Sequence, residues 1–97
     1  ECSVIIDYGS MYYEVNNNER CARALLAFAR DFDGAVSYEC PAAMTGEDFG
    51  YFIKDIPGAM FWAGANCEYG LHHAKLAPDE ALIPFNQKFV EQFIRSL

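Results

Sequence analysis

Residues 44–64 read MTGEDFGYFIKDIPGAMFWAG, and this stretch decides the predicted fold because it places a helix directly before a buried strand. Thr45 and Asp48 fit the S/T-x-x-D/E pattern of a helix N-terminus, and Pro57–Gly58 stops the helix. The run AMFWAG (59–64) is continuously apolar, which is typical of a strand buried on both faces of a parallel sheet. The buried stripe of the helix is predicted to contain Phe49, Phe52, Ile53 and Ile56.

The segments before this unit follow the same alternation. Residues 2–8, CSVIIDY, are rich in β-branched and aromatic residues, and with Tyr12, Tyr13 and Val15 they predict one or two strands around a Gly9–Ser10 turn. Asn16–Asn18 offer N-caps for a helix that continues through CARALLAFARDF. Residues 35–40, AVSYEC, predict a further strand. The buried face of this helix is predicted to contain Ala22, Leu25, Leu26, Ala29 and Phe32.

The segment after the unit predicts a long connection and a last helix. The connection covers residues 65–78, and the helix begins near Asp79 or, with Pro84 at its first position, near Ile83. Its apolar face is predicted to contain Phe85, Phe89, Phe93 and Leu97. The element order is therefore β-α-β-α-β-α, which predicts an α/β fold with mostly parallel strands.

Composition and charge exclude several classes of function. The net charge is −7 and the seven Lys and Arg residues do not cluster, which argues against binding to nucleic acid or to an anionic membrane surface. No apolar run approaches the roughly 20 residues of a membrane span. No basic segment precedes an apolar stretch, so we expect a cytoplasmic protein. The chain begins with Glu1, and we interpret it as one part of a longer protein.

The four cysteines show no metal-binding or redox spacing. Cys2, Cys21, Cys40 and Cys67 contain no C-x-x-C pair. We expect free, mostly buried thiols, although two disulfides would be the alternative in a secreted protein. Cys67 has no basic residue near it in the sequence, so we expect an unreactive thiol.

A candidate site follows from the predicted sheet, because ligands bind outside the carboxyl ends of parallel strands. PAAMTGED leaves the strand 35–40, and ANCEYGLHH leaves the strand 59–64. Thr45–Asp48 and His72 would then share one rim. The connection 65–78 is also longer than usual, and long loops in compact domains are often functional.

The residues of this candidate site also allow simpler interpretations. Successive side chains of an extended segment point to opposite faces, so at most one of His72 and His73 would bind a given metal ion, and both could be ordinary exposed histidines. Glu47 and Asp48 could bind metal or act as acid and base, or they could be helix-start acids. A structural zinc site of Cys67, His72 and His73 is a further alternative.

Two blocks of the sequence resemble a known family. Residues 44–65, MTGEDFGYFIKDIPGAMFWAGA, and residues 70–81, GLHHAKLAPDEA, resemble the C-terminal end of the M20 metallopeptidase and amidohydrolase family. The resemblance implies a three-layer α/β catalytic domain, of which residues 16–97 would be the C-terminal part. Residues 1–15 would be the end of an inserted lid and dimerisation domain and the strand that crosses back.

The resemblance also implies roles for individual residues. The histidine after Gly-Leu, His72, would be the last ligand of a pair of divalent metal ions, which would be zinc, cobalt or manganese. Other residues would bind substrate or support the metal ligands; these are Thr45, Gly46, Glu47, Asp48 and His73. The remaining ligands and the water-activating glutamate would lie upstream, so the resemblance places no catalytic residue in this chain and the isolated chain is expected to be inactive.

The function implied by the resemblance is metal-dependent hydrolysis of an N-acyl amino acid, with N-acetyl-diaminopimelate of lysine biosynthesis as the expected substrate. Hippurate-type and aminoacyl amides are the alternative substrates. The expected partners are this small-molecule substrate, the rest of the enzyme chain and further copies in a homo-oligomer. A non-catalytic α/β interaction module, which would pair through its apolar faces, is the alternative from another functional class.

Overall fold

A computed structural model describes residues 2–7, 9 and 12–97 of the chain. Within these described residues three helices follow one another, α1 (Glu19–Asp31), α2 (Phe49–Ile53) and α3 (Leu82–Ser96). The described residues contain no strand, so the predicted three-layer α/β fold with a mostly parallel sheet is wrong. Turns and irregular segments connect the helices, and within the described ranges no helix has both the length and the apolar character needed to cross a membrane.

The predicted strands fail because no neighbouring strand pairs with them. A strand is stabilised when its backbone N–H and C=O groups bond to an adjacent strand, and within the described part of the chain residues 2–7, 35–40 and 59–64 form no such ladder. Side chains expected in the core are open to solvent, with Ile5 94% and Val36 91% exposed. An apolar, β-branched composition alone therefore led neither to strand pairing nor to burial of these side chains. Tyr8 and Ser10, which belong to the first predicted strand and turn, lie outside the described residues.

The helix predicted after Asn16–Asn18 is confirmed as α1. The side chain of Asn18 caps the helix, because its Oδ1 accepts a hydrogen bond from the Cys21 N–H at 3.2 Å. Glu19 in the first turn forms an ion pair with Arg23 at 2.8 Å. The helix ends just before Gly34, whose φ of +81° lies in the left-handed region that glycine adopts without strain.

Helix α3 begins between the two predicted start positions. The side chain of Asp79 accepts a hydrogen bond from the Ala81 N–H at 2.9 Å, and the Asp79 carbonyl accepts one from the Leu82 N–H at 3.0 Å. Pro84 is therefore the third helical residue and not the first. The side chain and the carbonyl of Asp79 thus each accept from one backbone N–H at the helix start, where N–H groups have no partner within the helix.

Helix α2 is only five residues long, and its predicted capping box is wrong. Asp48 occupies the N-cap position but makes no capping hydrogen bond through its side chain, and Thr45 lies three residues further upstream. Gly50 is the buried residue of this helix, which differs from the predicted stripe. Phe52 and Ile56 are each 65% exposed. A glycine within a short helix costs about 1 kcal/mol relative to alanine, which disfavours extension of the helix.

The core lies where α1 and α3 meet. Ala29, Phe32 and Phe89 are buried, and Phe28 and Phe85 pack against them. The rings of Phe32 and Phe89 make an edge-to-face contact with 5.1 Å between centroids, a geometry that aromatic pairs prefer. The predicted faces of both helices are thus largely confirmed, except that Leu97 is 84% exposed.

The segment 58–60 is attached to the start of α1. The Asn18 N–H donates to the Gly58 carbonyl at 2.9 Å, and the side chain of Asn17 forms two hydrogen bonds with the backbone of Met60. This attachment lets the ring of Phe61 reach Phe89 of α3, with 5.4 Å between ring centroids. The middle of the chain is therefore connected to the helical core.

Candidate functional site

The connection that carries the histidines is a closed loop, residues 65–79. The Asp79 N–H donates to the Ala65 carbonyl at 3.0 Å, and the Asn66 side chain donates to the Asp79 carboxylate at 3.0 Å. Asn66 has φ +48°, a conformation that asparagine tolerates better than most residues. A surface loop whose ends lie this close together is an Ω-loop, a type of loop that is frequently functional.

The closure of the loop has an electrostatic consequence for Asp79. The backbone N–H of Ala81 and the side-chain amide of Asn66 both donate to its carboxylate, and together they lower the pKa of Asp79 below its ordinary value. Hydrogen bonds to the charged form of an acid favour that form. The base of the loop is therefore held by an ionised carboxylate.

Contacts within the loop hold the side chain of His73. Its ring stacks on the ring of Tyr69, with 4.5 Å between centroids and 12° between planes. Its Nδ1 accepts a hydrogen bond from the Lys75 N–H at 3.1 Å, and the Lys75 ammonium lies 5.7 Å from the Tyr69 centroid. One ring nitrogen of His73 is therefore already occupied by a protein donor.

His72 differs from its neighbour in conformation and in contacts. It has φ +65°, which is uncommon for a residue other than glycine. Its side chain is exposed, and within the described part of the chain no hydrogen bond or ring contact involves its imidazole. The turn around it is closed by a hydrogen bond from the His73 N–H to the Gly70 carbonyl at 3.1 Å. The two histidines therefore lie in a turn and not in the extended segment that the sequence analysis assumed.

Cys67 is a functional candidate that the sequence analysis set aside. The thiol is free and half-buried, and the backbone amides of Ala77 and Tyr69 donate to its sulfur and lower its pKa. No basic residue lies near Cys67 in the sequence, but these donors are main-chain groups that only the folded loop supplies. The prediction of free cysteines is confirmed, but Cys2 and Cys40 are exposed, so the expectation of mostly buried thiols is wrong.

The other predicted site residues lie at the start of α2. Thr45, Gly46 and Asp48 are exposed and Glu47 is half-buried. Gly46 lies against the ring of Tyr12, since a Cβ at this position would be 3.3 Å from that ring. Among the hydrogen bonds, ion pairs and ring contacts of the described residues, none joins this segment to His72 or His73. The rim that Thr45–Asp48 and His72 were predicted to share required a parallel sheet, which the described residues do not form. The role of Thr45–Asp48 in a site stays a prediction.

The donor set for a metal ion is incomplete. Within residues 2–7, 9 and 12–97, no group of three or more His, Cys, Asp or Glu side chains is arranged to hold one. A zinc site uses about three or four protein ligands, so the alternative site of Cys67, His72 and His73 is not formed. Of the two imidazoles, the one at His72 has both ring nitrogens available to a metal ion.

Comparison with known proteins does not assign the chain. No protein-family model matches the sequence, and no solved structure matches the chain. The M20 resemblance of residues 44–65 and 70–81 therefore stays a prediction from the sequence. Two structural observations support a functional proposal. Loop 65–79 is closed, and it exposes the imidazole of His72 with both ring nitrogens available to a metal ion.

Proposed function

We propose that the chain is the C-terminal part of a metal-dependent N-acyl amino acid amidohydrolase of the M20 family, and that His72 is one of its metal ligands. The observation that carries the proposal is the difference between the two imidazoles. His73 uses Nδ1 within the loop and stacks on Tyr69, whereas His72 has no partner among the described contacts. An imidazole with a free nitrogen is a common metal ligand, and His72 is also the position that the family resemblance selects.

The remaining ligands belong to the rest of the enzyme chain. One imidazole supplies one of the about three protein ligands of a hydrolytic zinc centre. Divalent ions held by His72 and the remaining ligands, which would be zinc, cobalt or manganese, would supply Lewis-acid polarisation of the amide carbonyl and activation of water. The residues of this chain would position the metal ligand and the substrate. Loop 65–79 fixes the turn that carries His72, and Thr45–Asp48 lie near the substrate in this proposal. The isolated chain is inactive in this account.

The exposed apolar surface supports a partner in the same polypeptide. Val4, Ile5 and Val36 are each more than 80% exposed, and monomeric soluble proteins rarely expose large contiguous apolar patches. The rest of the enzyme chain is the partner that this proposal assigns to these segments. The complete enzyme is cytoplasmic in this account.

The proposed reaction releases acetate and a free amine from N-acetyl-diaminopimelate, as in the N-acetyldiaminopimelate deacetylases of lysine biosynthesis. The test is acetate release by the protein from the complete reading frame, loaded with zinc or cobalt, with hippurate as the competing substrate. His72→Ala should lower kcat/KM by more than about 100-fold, since even residues that only orient a metal ligand are worth about 10–100-fold. The matched control His73→Ala should lose less. Full activity of His72→Ala would contradict the proposal.

A non-catalytic interaction module is the second candidate, and the exposed apolar segments favour it. The same assay separates the two candidates. Absence of hydrolysis of both amides by the metal-loaded complete protein would favour the module. Hydrolysis that depends on His72 would exclude it as the sole function.

A further inference from the structure

A groove lies between the start of α1, residues 57–61 and the second half of α3. Its volume is about 660 Å³, which is within the range of about 300–1,000 Å³ that is typical of small-molecule sites. None of the described residues that line it belongs to loop 65–79 or to Thr45–Asp48. We call it the α1–α3 groove, and its walls are largely apolar, with Leu25, Phe61, Phe89, Val90 and Phe93 among them.

The antiparallel packing of α1 and α3 forms two walls of the groove. Phe28 contacts Phe93, with 5.4 Å between ring centroids, whereas Phe32, one turn further along α1, contacts Phe85 at 5.5 Å. The contacts thus move back along α3 as α1 advances, so the start of α1 lies near the end of α3. The third wall is the segment 57–61, which the hydrogen bonds of Asn17 attach to the start of α1.

Arg20 is the one charged side chain among the described residues that line the groove. It is exposed, and within the described part of the chain no hydrogen bond or ion pair involves its guanidinium. Arg23, one turn further along α1, is by contrast paired with Glu19 at 2.8 Å. A guanidinium carries parallel N–H donors that match the two oxygens of a carboxylate. Arg20 therefore offers an unpaired carboxylate-binding group at the rim of an apolar groove.

The charges around the groove favour a small anion, although the whole chain is acidic. A net charge of −7 opposes the approach of anions in general. No acidic side chain is among the described residues that line the groove. The acidic residues next to this lining in the sequence are Glu19 and Glu91, and each forms an ion pair with an arginine, at 2.8 Å and 3.0 Å. The positive charge of Arg20 is therefore not compensated within the groove.

The other polar groups of the groove are already engaged. The Asn18 side chain accepts from the Cys21 N–H at 3.2 Å, and the Gly58 carbonyl accepts from the Asn18 N–H at 2.9 Å. A peptide or a second copy would bring several backbone N–H and C=O groups into the groove, where its apolar walls could not bond them. A ligand with one anionic group and a tail without polar atoms requires no further partner.

We propose that the α1–α3 groove binds an unbranched fatty acid of medium chain length. The carboxylate binds the guanidinium of Arg20, and the tail lies along the apolar walls. The apolar walls provide affinity and the one charged group fixes the orientation of the ligand, as is typical of small-molecule sites. The proposal goes beyond the function proposed above, because it requires neither His72 nor a metal ion.

The test is isothermal titration calorimetry of the purified 97-residue chain with sodium decanoate and sodium octanoate. Decanoate should bind saturably at one site per chain. Octanoate should bind with a Kd at least about fourfold higher, because it has two CH₂ groups fewer to bury. Arg20→Gln should raise the decanoate Kd at least about fivefold through loss of the charged pair. The matched control Arg30→Gln, an exposed residue at the other end of α1, should change it by less than about twofold.

Alkylation of the cysteines locates the bound fatty acid without any variant. Cys21 lines the groove and Cys67 does not, and both thiols are free and half-buried. Decanoate at a concentration equal to its Kd should slow the reaction of N-ethylmaleimide with Cys21 by about twofold, as mass action requires. The reaction of Cys67 should be unchanged. Mass spectrometry of the digested peptides measures both rates.

Three results would overturn the proposal: no saturable binding of decanoate, an equal rise of Kd in Arg20→Gln and Arg30→Gln, or alkylation of Cys21 that decanoate does not slow. An apparent Kd that rises with protein concentration would also overturn it, since a second copy would then occupy the groove. Far-UV circular dichroism checks the helicity of each variant. If Arg20→Gln loses helicity, Ala24→Leu repeats the test by filling the groove, with Ala27→Leu outside the groove as its control.

Discussion

The carboxamide of Asn17 holds the backbone of Met60 at both of its polar groups. The Asn17 Nδ2 donates to the Met60 carbonyl, and the Asn17 Oδ1 accepts from the Met60 N–H, each at 2.8 Å. The two residues are 43 positions apart in the chain. The side chain supplies both hydrogen bonds that a neighbouring strand would give to this residue, within the segment that the sequence predicts as a buried strand.

The first prediction concerns this attachment. Asn17→Ala should lower the free energy of unfolding by about 1–3 kcal/mol, because two hydrogen bonds of about 0.5–1.5 kcal/mol each are lost. Urea denaturation followed by fluorescence of Trp62 measures the change. Asn16→Ala is the control, since no hydrogen bond of the Asn16 side chain is present among the described contacts. An equal loss in both variants would show that Asn17 does not hold the segment.

The second prediction concerns the contact between α2 and the segment before α1. An added Cβ at Gly50 would overlap the carbonyl oxygen of Tyr13, whereas one at Gly64 would meet no atom within 4 Å. Gly50→Ala should therefore destabilise the chain by about 1–3 kcal/mol through overpacking. Gly64→Ala should be neutral or slightly stabilising. Thermal unfolding of the two variants compares them, and unchanged stability of Gly50→Ala would exclude the close contact.

The third prediction concerns pH. The Ala81 N–H and the Asn66 amide lower the pKa of Asp79 in the folded state. An acid whose folded pKa lies below its unfolded pKa stabilises the fold above the unfolded value, near pH 4 for aspartate, and loses this contribution as pH falls through the folded pKa. The stability difference between the wild type and Asp79→Asn should therefore be largest near pH 6 and should shrink towards pH 2.

Denaturant midpoints measured from pH 6 to pH 2 test this dependence. Asp33→Asn, an exposed substitution outside the loop, is the control for the loss of one negative charge. Asn66→Ala should reproduce part of the effect, because it removes the second donor to the carboxylate. A difference between wild type and Asp79→Asn that stays constant with pH would contradict the assigned role of Asp79.

The two long helices could be predicted from the sequence because their signals are local. Asn18 before a run of helical periodicity fixes the start of α1, and the spacing of Phe85, Phe89 and Phe93 fixes the buried face of α3. The strands could not be predicted, since a strand requires a partner that is distant in sequence. For α2, the capping pattern at Thr45 and Asp48 predicted a helix start at Thr45, yet the helix begins at Phe49.

The candidate site was predicted less completely than the helices. The sequence indicated His72 and His73 together as candidate metal ligands. The different exposure of their ring nitrogens to a metal ion depends on the backbone φ of +65° at His72 and on the stacking of His73 with Tyr69. The closure of the loop joins Asn66 to Asp79, 13 residues further on. Neither relation follows a periodic pattern, so neither was accessible before the fold was known.

The most direct measurement is zinc or cobalt binding to the 97-residue chain by calorimetry, beside the variants His72→Ala and His73→Ala. The account predicts weak binding, because the described residues supply only an incomplete donor set. This binding should be lost in His72→Ala and kept in His73→Ala. Tight stoichiometric binding by the wild type, or binding that persists unchanged in His72→Ala, would contradict the assignment of His72 as one ligand of a centre completed by the rest of the enzyme.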